Sequence, residues 1–541
     1  MKIINNIRLY RPFKDDGIND LFHVKIEDGK ITAIHKGLSE EQGAHVIDGK
    51  QKVMSAAFND SHMHLLRYGI MKKEIDFRDI ISWEEMKKTV HHAFHQHDLE
   101  DHDWIVGNGI DDSQFEDIDH LLTAEDLEEF DYDKPMFFLH NDDHECLVNR
   151  KAMEIIREEN IFEEKHEGCI QKDENGNWTG RFNDTALHLI KFHFRQKGKQ
   201  DMYEAVKDSI PHLLKVGITS VHTDDLNIST SFPDLWNAYT ELERKGELKI
   251  TVHLHVFIYN LEDLKNFLSS FSKRTGDGTE RVKVGAIKLF LDGTQRLHTA
   301  ALRQPYHDKP ETSGVLNYSQ KELDELVQLA HQNRMQVAMH AIGDRTVEQS
   351  LNSLEKVRVE DLRHRIIHAQ VLAPDLLERL QKIKPYLEIQ PGFLMSEYNK
   401  TAKWVGKEQE KYCNAWKTVD SLQIPYTGSS DAPISSMDPH INIFAGVNRT
   451  DQQGNPKGGW MPEEKLSIDA CYKSYTETPA YLEFKEKEKG KLEEGYEADF
   501  LFLSHHPKEV APMELKNIQV LETWIKGNKV WEASESLKIK A

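Results

Sequence analysis

The residues of this chain with the clearest chemical potential begin at Asp60-Ser61-His62-Met63-His64. Side chains alternate across an extended strand, so His62 and His64 share a face and two imidazoles converge on one point. Neutral imidazole is a common ligand for Zn2+, at about 2.0 to 2.1 Å. An H-x-H alone is a weak signal, since strand histidines often pair without a metal. It gains weight from ligand-type residues near the ends of other apolar runs: His340 in VAMHAIGD, His368 in RIIHAQ and Asp431 in YTGSSDAP. Lys288 lies within AIKLFLDG, among apolar residues that bury it. A buried ammonium without a partner is costly, which favours the neutral amine. A neutral amine can take up CO2, and the resulting carbamate has two oxygens able to bridge two metal ions. The alternative is a lysine paired with Asp292 or another carboxylate.

The elements that must position these groups can be counted. Short apolar runs recur at 56–66, 217–225, 248–258, 284–293, 335–344, 363–370, 386–393 and 424–433, separated by amphipathic stretches such as SQKELDELVQLAHQN. Apolar residues at i, i+3 and i+4 mark those stretches as helices. Alternating strands and helices predict an α/β fold with a parallel sheet, and eight strands close a (β/α)8 TIM barrel. Barrel chemistry sits at the carboxyl ends of the strands, where His340, His368 and Asp431 fall. The first two strands are too far apart for one loop, which predicts an inserted subdomain at about 70–200 within a barrel spanning 55–485. Residues 1–54 and 486–541 alternate apolar and polar positions, with turn signals at Asp28-Gly29 and Gly527-Asn528. They predict one small β-sandwich domain assembled from both termini. The run KEKEKGKLEEG at 485–495 is expected to be a solvated connection into it.

Length and charge bound the rest. The 541 residues suit one barrel plus additions, and 69 basic against 91 acidic residues give a net charge of −22. That acidity argues against nucleic acid or an anionic membrane surface as partner. The four cysteines, Cys146, Cys169, Cys413 and Cys471, show no C-x-x-C spacing, so neither a disulfide framework nor a cysteine zinc cluster is expected. The opening MKIINNIRLYRPF has no basic stretch followed by an apolar one, so no secretory signal is expected and a cytoplasmic location fits best. A small-molecule substrate is expected, and a homodimer is left open.

The set D-S-H-x-H, K-L-F-x-D-G, H-A-I-G-D, R-I-x-H-A-Q and G-S-S-D-A-P resembles the amidohydrolase superfamily. More narrowly, it is similar to the YtcJ-like and N-substituted formamide deformylase branch, amidohydrolase family 3. WIVGNGIDD, HNDDHECLVNRKAM, DGTQRLHTAAL and KGKLEEGYEADFLFL extend the resemblance over most of the chain. It implies a divalent metal, Zn2+ first, as one or two ions held by His62, His64, His340 and His368. Lys288 matches the bridging-lysine position, open to carbamylation, and Asp431 is implied both as a metal ligand and as the catalytic carboxylate. His144, Asp292 and His298 are candidate substrate contacts. Two departures stand out: Ala56-Ala57 replaces the usual Pro-Gly, and Asp184 in TGRFNDTAL stands where a glutamate is frequent.

The implied reaction is hydrolysis of a C–N bond of amide or N-formyl type. A metal lowers the pKa of bound water from 15.7 to about 7 and polarises a carbonyl. Asp431 accepts the water proton and delivers it to the departing nitrogen. The ligand set alone does not separate this from a deaminase or another hydrolase of the superfamily, and fold alone does not exclude a catalytically silent binding barrel.

Overall fold

The computed structural model describes the chain apart from residues 40–42, 79, 97–103, 142–143, 163–168, 195–196 and 535–541. Its central sheet holds eight parallel strands: β1 (Phe58–Met63), β2 (Ile218–Thr223), β3 (Thr251–Phe257), β4 (Val282–Phe290), β5 (Val337–Ala341), β6 (Arg365–His368), β7 (Tyr386–Ile389) and β8 (Tyr426–Gly428). Each pairs with its neighbour in sequence, and each overlaps one of the eight expected runs, β4 starting two residues before its run. Contacts between β1 and the chain around β8 nearly close the barrel. The Ser61 hydroxyl donates to the Gly428 carbonyl at 3.1 Å, and the Asp431 and His64 amides donate to His62 and Ala432 carbonyls at 2.8 Å each.

Local chemistry explains the surrounding helices. Gln320–Gln332 begins at Ser319, whose side chain and that of Glu322 each accept from the other's backbone N–H. This capping box satisfies donors that the first turn leaves open. Leu323, Leu326, Val327 and Ala330 then form its buried stripe.

The barrel interior is not the stack of branched apolar layers common in this architecture. Ala286, Ala338 and Ile367 form only a small apolar cluster. Around it lie the buried polar residues His222, His253, His255, Lys288, Arg365 and Glu388. Arg365 on β6 reaches across to His222 on β2, at 2.8 Å.

Strands from both ends of the chain form one further eight-stranded sheet. Val53–Ala56 joins them, running parallel to Lys2–Leu9 and antiparallel to Phe500–Leu503. Ile4, Val24, Met54, Phe500, Phe502 and Trp524 share its core. The hairpin between Phe22–Glu27 and Lys30–Lys36 turns at Asp28-Gly29, both with positive φ, as a tight two-residue turn requires. The 485–495 run corrects the expectation of a simply solvated connection. Lys489 bonds Glu483 at 2.5 Å with its side chain only 12% exposed, and Arg363 binds Glu486 at 3.0 Å. Buried Glu483, which Lys489 pairs with, also accepts from Asn59 of β1 and Ser220 of β2.

A second compact unit comprises Leu65–Val206 and Asp225–Ala238. It holds a six-stranded sheet from Ile75–Asp76 to Trp178–Asn183 and Ile170–Lys172. Arg181 of the TGRFNDTAL stretch is buried there between Asp112, at 2.7 Å, and Glu145, and also donates to the Leu122 carbonyl at 2.8 Å. Removing one member of such a group strands the other charges in low dielectric. Arg181→Met is therefore expected to cost this unit about 3–5 kcal/mol, read as an earlier transition in urea denaturation of the full chain. No helix among the described residues is long and apolar enough to cross a membrane.

Candidate metal centre

His62, His64 and Asp431 place one ligand atom each within 4.8 Å of one another. Asp431 Oδ1 lies 3.3 Å from His62 Nε2 and 3.1 Å from His64 Nε2. The rings of His62 and His368 are 6.2 Å apart, and those of His340 and His368 4.6 Å. Lys288 Nζ stands 3.3 Å from His62 Nε2. Six side chains from four strands, β1, β4, β5 and β6, and from the segments just after β1 and β8 thus meet at one end of the barrel.

Backbone geometry aims two of them. His368 closes β6 with φ +72° and Asp431 follows β8 with φ +54°. Left-handed backbone costs a non-glycine residue about 1–2 kcal/mol and is held here by surrounding bonds. For Asp431 one such bond comes from its own motif partner. Buried Asp60 accepts from the Ser430 hydroxyl at 2.5 Å and the Ser430 amide at 3.1 Å, tying the G-S-S-D segment to D-S-H-x-H. Burial pushes the Asp60 carboxyl up to about 7, against the pull of the Ser430 bonds.

The Nδ1 atoms of three histidines face fixed acceptors. His64 Nδ1 lies 2.7 Å from the Asp224 carbonyl, His340 Nδ1 3.1 Å from Asp292 Oδ1, and His368 Nδ1 2.7 Å from Gln390 Oε1. Gln390 donates through Nε2 to the Glu388 carbonyl and to Ser429, so its oxygen is the atom turned to His368. This arrangement sets the proton on Nδ1 and leaves Nε2 as the ligand atom. His62 Nδ1 faces Glu388 Oε2 at 3.8 Å.

Electrostatics follow from burial. Desolvation and the neighbouring Lys288 charge hold His62 well below the usual imidazole range. Desolvation and His340 do the same for His368. Burial also acts against a charged His64, but the hydrogen bond and charge of Asp431, with Asp224 behind, outweigh it and raise His64 to about 9. Burial likewise opposes a charged Asp431, yet His62 and His64 hold it well below the usual carboxylate range. Neutral His62 and His368, with His64 on an anionic carboxylate that a metal can take over from its proton, fit a divalent cation.

One more group meets the same distance test among the described residues, His222, His253 and Glu483. It is satisfied without an ion. Arg365 Nη1, a donor only, lies 2.8 Å from His222 Nδ1, so His222 Nε2 carries the proton and donates to Glu483 at 3.1 Å. Glu483 also accepts from Asn59 at 2.6 Å and Ser220 at 2.7 Å.

The other sequence candidates are placed as follows. Lys288 pairs with Asp224, at 3.5 Å, and not with Asp292. Asp292 lies beyond the end of β4 and is fully buried. Besides His340 it accepts from the Ile342 and Gly343 amides and the Thr346 hydroxyl. Gly343 is needed there, because a Cβ would lie 1.9 Å from the Ala301 carbonyl oxygen. Asp292, read as a substrate contact, thus sits behind His340 as its support. His298 Nε2 is 3.0 Å from Asp308. His144, in the second unit, lies 2.7 Å from Asp184, which accounts for an aspartate at that position. Sequence reasoning missed Asp224, Arg365, Glu388 and Gln390. Their signal is a charged or amide residue inside an apolar strand, as in YLEIQ and RHRIIH.

The chain is similar to known proteins over nearly its whole length. It is 32% identical over 520 residues to YtcJ of Bacillus subtilis (strain 168), covering 94% of this chain and 96% of that protein. It is 23% identical over 504 residues to N-substituted formamide deformylase of Arthrobacter pascens, covering 90% and 89%. A crystal structure described as an uncharacterized metal-dependent hydrolase from Pyrococcus horikoshii OT3 superposes with a TM-score of 0.74 at 28% identity, covering 94% of this chain and 99% of that one. The profile of the amidohydrolase family matches residues 45–531, and with that span and the YtcJ likeness the chain belongs to the amidohydrolase family, among the metal-dependent hydrolases.

Proposed function

We propose that this chain hydrolyses a C–N bond of amide or N-formyl type in a small molecule, using a divalent metal, Zn2+ first, held by His62, His64, His340 and His368. Asp431 is the general acid and base. The observation that carries this reading is the convergence of His62 and His64 Nε2 on the buried Asp431 carboxylate. A cation bound there supplies Lewis-acid polarisation of the scissile carbonyl and acidifies a bound water. The chain's own residues do the rest. Asp431, anionic at neutral pH, takes the proton of the attacking water on a carboxylate oxygen and passes it to the departing nitrogen, which is too basic to leave unprotonated. Lys288 and Asp224 bound the site on the β4 side. The N-substituted formamide deformylase likeness is what favours an acyl or formyl group over a ring amidine.

The test is a substrate panel on purified, metal-loaded protein: N-formyl and N-acyl amines, nucleobases, and phosphotriesters. Release of free amine from the first class is expected, with bound metal measured in the same preparation. Turnover confined to nucleobases or phosphotriesters would reassign the chemistry within the family. Metal-loaded protein inert to every class would favour the silent barrel.

A further inference from the structure

The four histidines of the metal centre differ in one respect. His64, His340 and His368 each have an acceptor within hydrogen-bond distance of Nδ1, whereas buried His62 Nδ1 makes no hydrogen bond. It faces Glu388 Oε2 at 3.8 Å, and that oxygen is also buried without a hydrogen bond. The other carboxylate oxygen is not idle. Glu388 Oε1 accepts from Arg365 Nη1 at 2.8 Å. Arg365 is anchored in turn by Gln336 Oε1 and by His222 Nδ1 across the barrel, each at 2.8 Å.

We propose that Glu388, held by Arg365, is the positioning residue for His62: it accepts a hydrogen bond from Nδ1–H and so fixes the ring with Nε2 toward the metal centre. The inference rests on the metal-dependent reading above. Two facts support it. Moving the two atoms together by about 1 Å makes an ordinary hydrogen bond, and that bond completes a set in which every ligand histidine has its outer partner. Glu388 on β7 and Gln390 just past its end then act as a pair, two residues apart, serving His62 and His368. Further, a buried ion pair is generally no more stabilising than apolar residues of the same volume. Arg365 also serves Gln336 and His222, but the second oxygen of Glu388 has no hydrogen bond, and a histidine that must present one nitrogen gives it a role.

The experiment measures zinc affinity of the full chain by competition with a chromophoric chelator, with thermal unfolding as control. Arg365→Met/Glu388→Leu removes both charges together, so no charge is stranded and folding is expected to survive. Its zinc affinity is expected to fall 10–100-fold, the range for loss of an outer partner. Glu388→Gln keeps an acceptor oxygen without the charge and is expected to lose less, about three- to tenfold. A role in folding alone would shift the thermal midpoint and leave the affinity of the folded protein untouched. Affinity within twofold of wild type in the folded double variant overturns the proposal. If that variant does not fold, the same criterion applied to Glu388→Gln decides. Wild-type protein that binds no zinc would remove the metal-dependent reading itself, a result distinct from either variant's.

Discussion

Asp431→Asn is expected to lower kcat by about 10²–10⁴-fold, the range for a general acid–base group, while the protein keeps its metal. Asparagine has the shape of aspartate and retains one acceptor oxygen, but it does not take a proton at neutral pH. The backbone that presents this side chain depends on other groups: the Asp431 amide bond to the His62 carbonyl and the Asp60 grip on Ser430. Neither involves the substituted atoms, so the left-handed turn at 431 should persist. The four histidines proposed as ligands are untouched by the substitution. Turnover on the amine-releasing substrate and metal per chain, measured on the same sample, check this. A variant with kcat within threefold of wild type would remove Asp431 from the chemistry and leave it at most a ligand. A variant that loses both metal and turnover would instead show that its charge is needed for binding.

Much of the barrel was legible because its strands are short apolar runs between clear helical stretches, and because barrel geometry says where their ends must go. His62, His340, His368 and Asp431 could be placed together from that rule alone, without knowing any contact. What could not be read is which groups stand behind them. Asp292 lies four residues after Lys288 and looks like its partner on a strand. Yet β4 ends at Phe290, the chain turns, and three donors of the β5 loop and following helix claim the Asp292 carboxylate. Arg365 and Glu388 are adjacent only across strands, and their sequence neighbours say nothing of each other. Lys489 reads as one charge in a charged run because Glu483, which holds it, is buried against Asn59 and Ser220 of distant strands. The second unit was visible only as excess length, since its sheet mixes parallel and antiparallel pairs with no repeat to count.

Stripping the metal with a chelator is expected to abolish turnover, lower the unfolding temperature, and be reversed by added Zn2+. Among the described side chains at the site, Asp431 and Lys288 do not polarise a carbonyl as a divalent cation does. The stability effect follows from linkage: a ligand bound only by the folded chain stabilises it by about 4 kcal/mol at a thousand times its Kd. The pH dependence carries a definite sign. His62 and His368 are already neutral, so binding there displaces no proton. His64, raised to about 9 by Asp431 and Asp224 against the effect of burial, must give up its proton to become a ligand. Apparent metal affinity is therefore expected to rise with pH up to that value, by about tenfold per unit for the one proton released. Isothermal titration of the stripped protein with zinc between pH 6 and 8, in buffers of different ionisation enthalpy, reads both the affinity and the proton count. Release of about one proton per zinc places His64 among the ligands. Affinity flat across that range, with no proton released, would show that the ion sits elsewhere or that His64 keeps its bond to Asp431. Full turnover from protein containing less than about a tenth of a metal ion per chain would overturn the metal-dependent reaction outright.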